Sequence, residues 1–310
     1  MQKLIGQKIY RITHCSLLIA LCSLFFSCQT TPHSPESFFD EGIIPLDPGA
    51  SIYLFADVQH VRPIIGLLNI DELDNKDVKQ MINKTNNAMI ALFPAESGRR
   101  FQIAAWGNYP SSGAGMALSF NKDWKKHRLD SKSSERTNFT IGNNYWHSGR
   151  DRLSLALTSA NAYVAAWLNE TPASPFASGV EMPEGFNLFG SEASLSCWVN
   201  NPGPIFQKIF SDIGAPIRVP VDQLFLKLDS VSNDNYEATV RLVFDTPAYA
   251  RTVAAILGFA RNFSSADPEM QIVMLFLANP PVQNGNNVDI KTAPMSESEI
   301  MKIANAFSSL

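Results

Sequence analysis

An α+β fold built as two similar halves of mainly antiparallel sheet with packed helices is the architecture this sequence predicts, on three observations. Asp57-Val58-Gln59-His60-Val61-Arg62-Pro63-Ile64 aligns without gaps on Trp198-Val199-Asn200-Asn201-Pro202-Gly203-Pro204-Ile205, with Val, Pro and Ile coinciding and Gln opposite Asn. An apolar strand pattern precedes each copy and a helical pattern follows it, which points to a duplicated strand-turn-helix unit. Finally, Gln223 to Val231 and Tyr236 to Phe244 flank Ser-Asn-Asp-Asn, a strong turn composition, and read as a hairpin.

The elements follow in order. Residues 51 to 58 form a continuous apolar run, as in a strand buried on both faces. Pro63 and Pro204 suit the first turn of a helix, where the missing N–H has no partner to lose. The first half continues with strand candidates at 88 to 93, 100 to 106, 115 to 120, 153 to 158 and 162 to 168. In the second, Ile205, Phe206, Ile209, Phe210 and Ile213 lie on one helical face. The alternation of Ala238, Val240, Leu242 and Phe244 with Glu237, Thr239, Arg241 and Val243 marks a hairpin strand with one wetter face. Pro247 to Phe263 reads as a helix with Asp245 or Thr246 near its N-cap, and Met270 to Leu277 is almost wholly apolar. Ser296 and Glu299 make a capping box ahead of a stripe of Ile300, Ile303, Phe307 and Leu310. The expected organisation is a leader at 1–27, a flexible tether at 28–50, a first half at 51–170, a linker at 171–190 and a second half at 191–310.

The leader carries the address. Lys3, Lys8 and Arg11 precede the apolar run from Cys15 to Phe26, which fits a signal h-region and is too short to span a bilayer. Leu24-Phe25-Phe26-Ser27-Cys28 is a relaxed lipobox, with Leu one place earlier than usual and small Ser27 beside the cut. Cys28 is the expected lipidation site, so membrane lipid is the expected partner through the acylated N-terminus. Cleavage there would leave Cys197 as the one free thiol, so no internal disulfide would form and stability would rest on a hydrophobic core. The tether, roughly 20 residues long, would reach about 25 Å as a coil.

Cleavage also removes three basic and no acidic residues, taking the formal charge from −4 to −7. A mildly acidic body argues against nucleic-acid binding. Nor does the chain carry a G-x-S-x-G elbow, an H-E-x-x-H helix, a phosphate-binding G-x-x-x-x-G-K or a C-x-x-C pair, and no cofactor or metal site is expected. Lys122 to Arg128 mixes basic residues with Trp124 and reads as a solvated surface loop. Asn143 to Asp151 holds Tyr145 and Trp146 among polar donors, as in a sugar-contacting loop or in a turn that buries one aromatic. Phe176, Phe186 and Phe189 lie in Pro- and Gly-punctuated sequence that has little need of large apolar groups. Together with Tyr145, Trp146, Ile303 and Phe307 they are the candidates for contact with an apolar ligand or a membrane. The helical patterns after Pro247 and Ser296 either pack on the sheets or lie in a lipid interface.

A relaxed lipobox ending at Cys28, a polar tether, an α+β body and amphipathic apolar helices together resemble the spirochaetal, treponemal-type envelope lipoproteins, including those whose amphipathic helices associate with the outer membrane. The resemblance implies a palmitate-bearing, non-enzymatic protein of the bacterial envelope, facing the periplasm or the cell surface, that associates with the outer membrane or holds lipid. A periplasmic hydrolase or carbohydrate-active protein using Asp57, Asp151 and Asp245 is the alternative.

Overall fold

The computed structural model describes residues 43–44, 46–67, 79, 82–94, 99–109, 111–128, 141–149, 152–158, 162–168, 180–190, 193–203, 220–232, 235–261 and 274–301. In chain order the main elements are β1 (Ile43–Ile44), β2 (Ile52–Asp57), α1 (Val58–Leu67), β3 (Thr85–Leu92), β4 (Arg99–Gly107), α2 (Ser111–Phe120), β5 (Trp124–Arg128) and β6 (Ile141–Ser148). They continue with β7 (Leu153–Thr158), β8 (Ala162–Leu168), β9 (Val180–Glu181), α3 (Phe186–Gly190), β10 (Leu195–Asn200), β11 (Val221–Ser232), β12 (Asn235–Phe244), α4 (Pro247–Ala260), β13 (Val282–Asn284), β14 (Asn287–Lys291) and β15 (Met295–Ser296). The fold is α+β, and the strand pairs are antiparallel. Two compact units divide the chain, one within Met1–Ala50, Asp57–Arg62 and Asn69–Pro183, the other within Ser51–Ala56, Pro63–Leu68 and Glu184–Leu310.

In the first unit the strands run in the order β3-β4-β8-β7-β6-β5, and β1 pairs with β9. Register aligns Lys126, Trp146, Leu155, Ala165 and Ile103 across five strands, so these side chains share one face. Helix α2 seals that face. Its Ala114 and Leu118, both fully buried, pack with Trp124, Trp146, Leu153, Leu155, Leu157 and Tyr163. The helix sits close because Gly115 faces an indole: a Cβ there would lie 3.3 Å from Cη2 of Trp146. The indole Nε1 of Trp146 donates to Oγ of Ser119 at 3.1 Å, fixing the helix about its axis. Gly107 is required for another reason, since a Cβ would meet the Lys84 carbonyl oxygen at 1.9 Å.

The opposite face of this sheet is lined by small and polar groups. Gln102, Ala104, Ser154, Ala156, Val164 and Ala166 are all fully buried there. Packing begins well before Ser51, since Leu46 is fully buried and the Asp47 N–H donates to Oε1 of Gln102 at 2.6 Å. At the β5–β6 edge His127 stacks on Tyr145, with ring centroids 5.1 Å apart, and stands perpendicular to His147 at 6.4 Å. His147 is buried, with Nδ1 3.0 Å from Oγ of Ser154.

The second unit orders its strands β2-β10-β11-β12-β14-β13, with β15 on the end of β12. One cross-strand row reads Tyr53, Trp198, Phe225, Arg241 and Asp289. Tyr53 and Trp198 stack at 4.6 Å, and the Arg241 guanidinium forms a bidentate pair with Asp289, both contacts 2.7 Å. Helix α3 lays Phe186 against Phe225 and Phe55, while Phe189 receives Arg241 over its ring at 5.0 Å. On the other face α4 buries Ala250 and Val253 against Val240, Leu242, Val288 and Ile290. Thr246 caps α4, accepting from the Tyr249 N–H, and Pro247 follows at the first helical position. Near the C-terminus the Ser296 N–H and hydroxyl both donate to Oε2 of Glu299 at 2.8 Å, and Ile300 packs with Leu228, Tyr236, Ala238 and Met295.

Four sequence expectations need correction. The run at 115–120 is helical, because Ala114 and Leu118 one turn apart find a broad aromatic layer to cover. Asn143 to Ser148 belongs to strand β6, with Trp146 on the α2 face and Tyr145 and His147 on the other. Within the basic run Trp124 enters the core, so Trp124–Arg128 forms edge strand β5 in place of a loop. Pro63 lies at the sixth position of α1, since Asp57 starts the helix earlier by accepting from the Gln59 and His60 N–H groups at 3.0 and 3.3 Å. The helix expected at 205–213 and its Pro204 lie outside the described residues.

Two measurements check this packing. Leu118→Ala should cost about 2 to 5 kcal/mol in urea denaturation, whereas Met116→Ala and Phe120→Ala, on the outer side of the same helix, should stay within about 0.5 kcal/mol. Equal losses would mean that α2 does not sit as described. For His147, burial first, then the nearby His127 and Lys125, hold the imidazole below its ordinary pKa. Above about pH 6.5 it is neutral in folded and unfolded chains alike; as pH falls, the unfolded chain takes up a proton that the fold refuses, so stability declines until the folded pKa is passed. His147→Gln should therefore flatten the fall in Tm between about pH 7 and pH 5. An unchanged slope would exclude His147 as its source.

Candidate membrane-facing surface

Helix α4 has the sequence Pro-Ala-Tyr-Ala-Arg-Thr-Val-Ala-Ala-Ile-Leu-Gly-Phe-Ala, with one charged residue in 14. At 100° per residue Ala250, Val253 and Leu257 fall on one side and pack on the sheet. Tyr249, Thr252, Ile256 and Phe259, at steps of three and four, fall on a neighbouring stripe that faces outward. Phe259 is 65% exposed, Tyr249 48% and Ile256 39%. A surface helix of a soluble domain normally turns charge to water, and this one turns large apolar groups. Arg261, just past its end, donates to the carbonyl oxygens of Leu277 and Ala278 at 2.9 and 3.1 Å, which satisfies the guanidinium inside the unit.

The candidates named from sequence separate into two groups. Tyr145, Trp146, Phe186 and Phe189 are all buried, the first two in β6 and the last two on α3. Cys28, Phe176, Ile303 and Phe307 lie outside the described residues. Cys197 is buried, and burial pushes its thiol pKa up to about 12, which keeps it protonated and unreactive at neutral pH.

The carboxylates of the hydrolase reading are placed individually. Asp57, in the first unit, is taken up by capping α1 and by a 2.7 Å contact to Nδ1 of His60. Asp245, in the second, lies beside Asp222, whose pKa is raised by burial and by the hydrogen bond and charge of Asp245. Asp151 lies outside the described residues. No group of three or more His, Cys, Asp or Glu side chains is placed to hold a metal ion among the described residues.

Two exposed apolar faces were not equally visible in the sequence. The helical run after Pro247 was legible as a candidate interface, although nothing in it told which side would pack. Met116 and Phe120 on α2 were hidden by the strand assignment. Their four-residue spacing, matched by that of Ala114 and Leu118, is the signal that would have revealed them. No helix among the described residues is long and apolar enough to cross a membrane.

Comparison with known proteins matches this architecture to one family. The family model of the outer membrane-associated lipoprotein TP0453, a Treponema pallidum protein, matches residues 42–274. Crystal form III of TP0453 superposes with a TM-score of 0.51 at 17% identity, covering 86% of this chain and 98% of that one. Crystal form IV gives a TM-score of 0.52 at 15% identity with the same coverage. No curated protein matches the chain. At such identity the structures attest a shared fold, while the family match extends over most of the sequence. The chain thus belongs to the TP0453 family of outer membrane-associated lipoproteins, and is an envelope lipoprotein of treponemal type.

Proposed function

We propose that this protein is a non-enzymatic lipoprotein, acylated at Cys28, whose helix α4 lies in the interface of the outer membrane. The observation that carries the reading is the outward stripe of Tyr249, Ile256 and Phe259 on a helix whose other side already packs on a sheet. Water gains nothing from such a stripe, whereas an acyl boundary accepts it. Fully burying a side chain the size of Phe is worth about 1.5 to 3 kcal/mol, and an acyl chain adds about 0.8 kcal/mol per buried methylene. A single chain holds only marginally, so a helix contact would strengthen and orient the anchored body.

The test compares two faces of one helix in the acyl-free Cys28→Ser chain, which should take up no labelled palmitate. Phe259→Asp should leave the urea midpoint nearly unchanged and weaken flotation with vesicles about tenfold or more, the lost burial of one Phe. Val253→Asp should instead destabilise the second unit severely, because it buries an unpaired carboxylate. Unchanged flotation with unchanged stability in Phe259→Asp would remove α4 from the membrane contact. Palmitate incorporation into Cys28→Ser would refute the anchor.

A further inference from the structure

We propose that Asn284 is a site of spontaneous deamidation in the folded protein, and that its isoaspartate product releases edge strand β13 from β14. The site rests on one hairpin and is independent of any membrane contact. Asn284-Gly285 is the one Asn-Gly dipeptide of the chain. Asparagine is among the thermolabile residues, and a following glycine, with no Cβ, leaves the attacking peptide nitrogen unshielded.

The fold sets this pair where it can react. Cross-strand register ends at Asn284 opposite Asn287, so Gly285 and Asn286 form a two-residue loop whose N–H groups lie outside the ladder. Gly285 has a φ of +56°, and a Cβ there would meet nothing within 4 Å. A positive φ at the first loop residue calls for glycine and asks nothing of the residue before it, so turn geometry accounts for Gly285 and not for the exposed Asn284. Little holds β13 extended. It is three residues long and ends its sheet, and Pro280 and Pro281 ahead of it have no N–H with which to lengthen the ladder. Such an edge frays far more readily than the whole unit unfolds. The loop is tied down beyond it: the Phe244 N–H donates to the Asn286 carbonyl at 3.0 Å, and Asn286 Nδ2 to the Asp245 carbonyl at 3.3 Å. Fraying of β13 therefore turns the Asn284 side chain against a nitrogen that stays in place.

The Gly285 nitrogen attacks Cγ of Asn284. The N–Cγ bond forms, the Cγ–Nδ2 bond breaks, and the Gly285 amide proton leaves with Nδ2 as ammonia. Water then opens the succinimide. Attack at the side-chain carbonyl gives aspartate, and attack at the more electrophilic main-chain carbonyl gives isoaspartate, whose backbone is longer by a carbon. That longer backbone cannot keep Asn284 opposite Asn287 across the same loop, whereas β14 retains its pairing with β12. A protective hairpin is the competing account, since attack requires Asn284 to leave the extended range and Gln283 Nε2 braces the turn by donating to the Gly285 carbonyl at 2.6 Å.

The test ages the folded protein at neutral and alkaline pH, beside a sample in urea, and locates the product by peptide mass spectrometry in water enriched in heavy oxygen. Position 284 of the folded sample should lose ammonia and gain oxygen from water, faster at alkaline pH, and methylation by an isoaspartyl methyltransferase should show isoaspartate in excess of aspartate. Hydrogen exchange of the aged protein should show protection lost over Val282–Asn284 and kept over Asn287–Lys291. Asn286 and Asn287, followed by Asn and Val, should keep their amides. Asn284→Ser should abolish the product and preserve the protection of β13 through the same ageing. Conversion in urea with none in the folded protein would overturn the proposal and leave the hairpin a shield. Equal conversion at Asn286 or Asn287 would overturn the part given to Gly285, and undiminished protection of β13 in the isoaspartate fraction would overturn the release of the edge.

Discussion

Helices α2 and α4 must each seal one face of an antiparallel sheet, and each does so with alanine and branched aliphatic side chains. Ala114 and Leu118 on α2, and Ala250 and Val253 on α4, are the ones that reach the core. The bulk comes from the sheets, from Trp124, Trp146 and Tyr163 in one unit and from Val240, Leu242, Val288 and Ile290 in the other. Small inner residues allow close approach, as the 3.3 Å spacing at Gly115 shows. Met116 and Phe120 on α2, and Tyr249, Ile256 and Phe259 on α4, are left on the outer side. Exposed apolar area disfavours the protein in water by about 25 cal/mol per Å² relative to burial.

The rest of each unit keeps those helices rigid. In the second, the bidentate Arg241–Asp289 pair and the stacked Tyr53 and Trp198 tie neighbouring strands on the face opposite α4. Arg261 holds the far end of α4 to the chain at 277–278. In the first, the Trp146–Ser119 hydrogen bond fixes which side of α2 faces outward. Membrane contact by such helices requires no unfolding of the sheet beneath them. The resemblance in fold to TP0453, at 15 to 17% identity, fits a structure specified by alternation and helical spacing more than by particular side chains.

Where periodicity was clean, the sequence was readable. Strands β7 and β8 occupy the residues their patterns indicate, and the β11–β12 hairpin turns where Ser-Asn-Asp-Asn predicts. Thr246 and Pro247 start α4 as their chemistry demands. Reading failed where a short segment needed its partner to be interpreted. Met116-Ala117-Leu118 alternates no better as a helix than as a strand until Trp124 and Trp146 lie across from it. Strand β6 hid behind polar residues because His147 and Ser148 are buried ones, each at or below 5% exposure. Strand β5 hid because a sheet edge tolerates charge. The exposed apolar surface was legible in composition, since apolar helices were evident, and illegible in direction, since only the packed sheet decides which face of a helix is left over.

Hydrogen exchange of the intact lipoprotein, compared between detergent-free vesicles and a soluble acyl-free chain, addresses that leftover face most directly. If α4 meets lipid while remaining mounted on its sheet, amides from Pro247 to Ala260 should gain protection on vesicles while those of β11 and β12 keep the protection they have in solution. No gain along α4, or a loss of protection in β11 and β12, would contradict an intact sheet that presents its helix to the membrane.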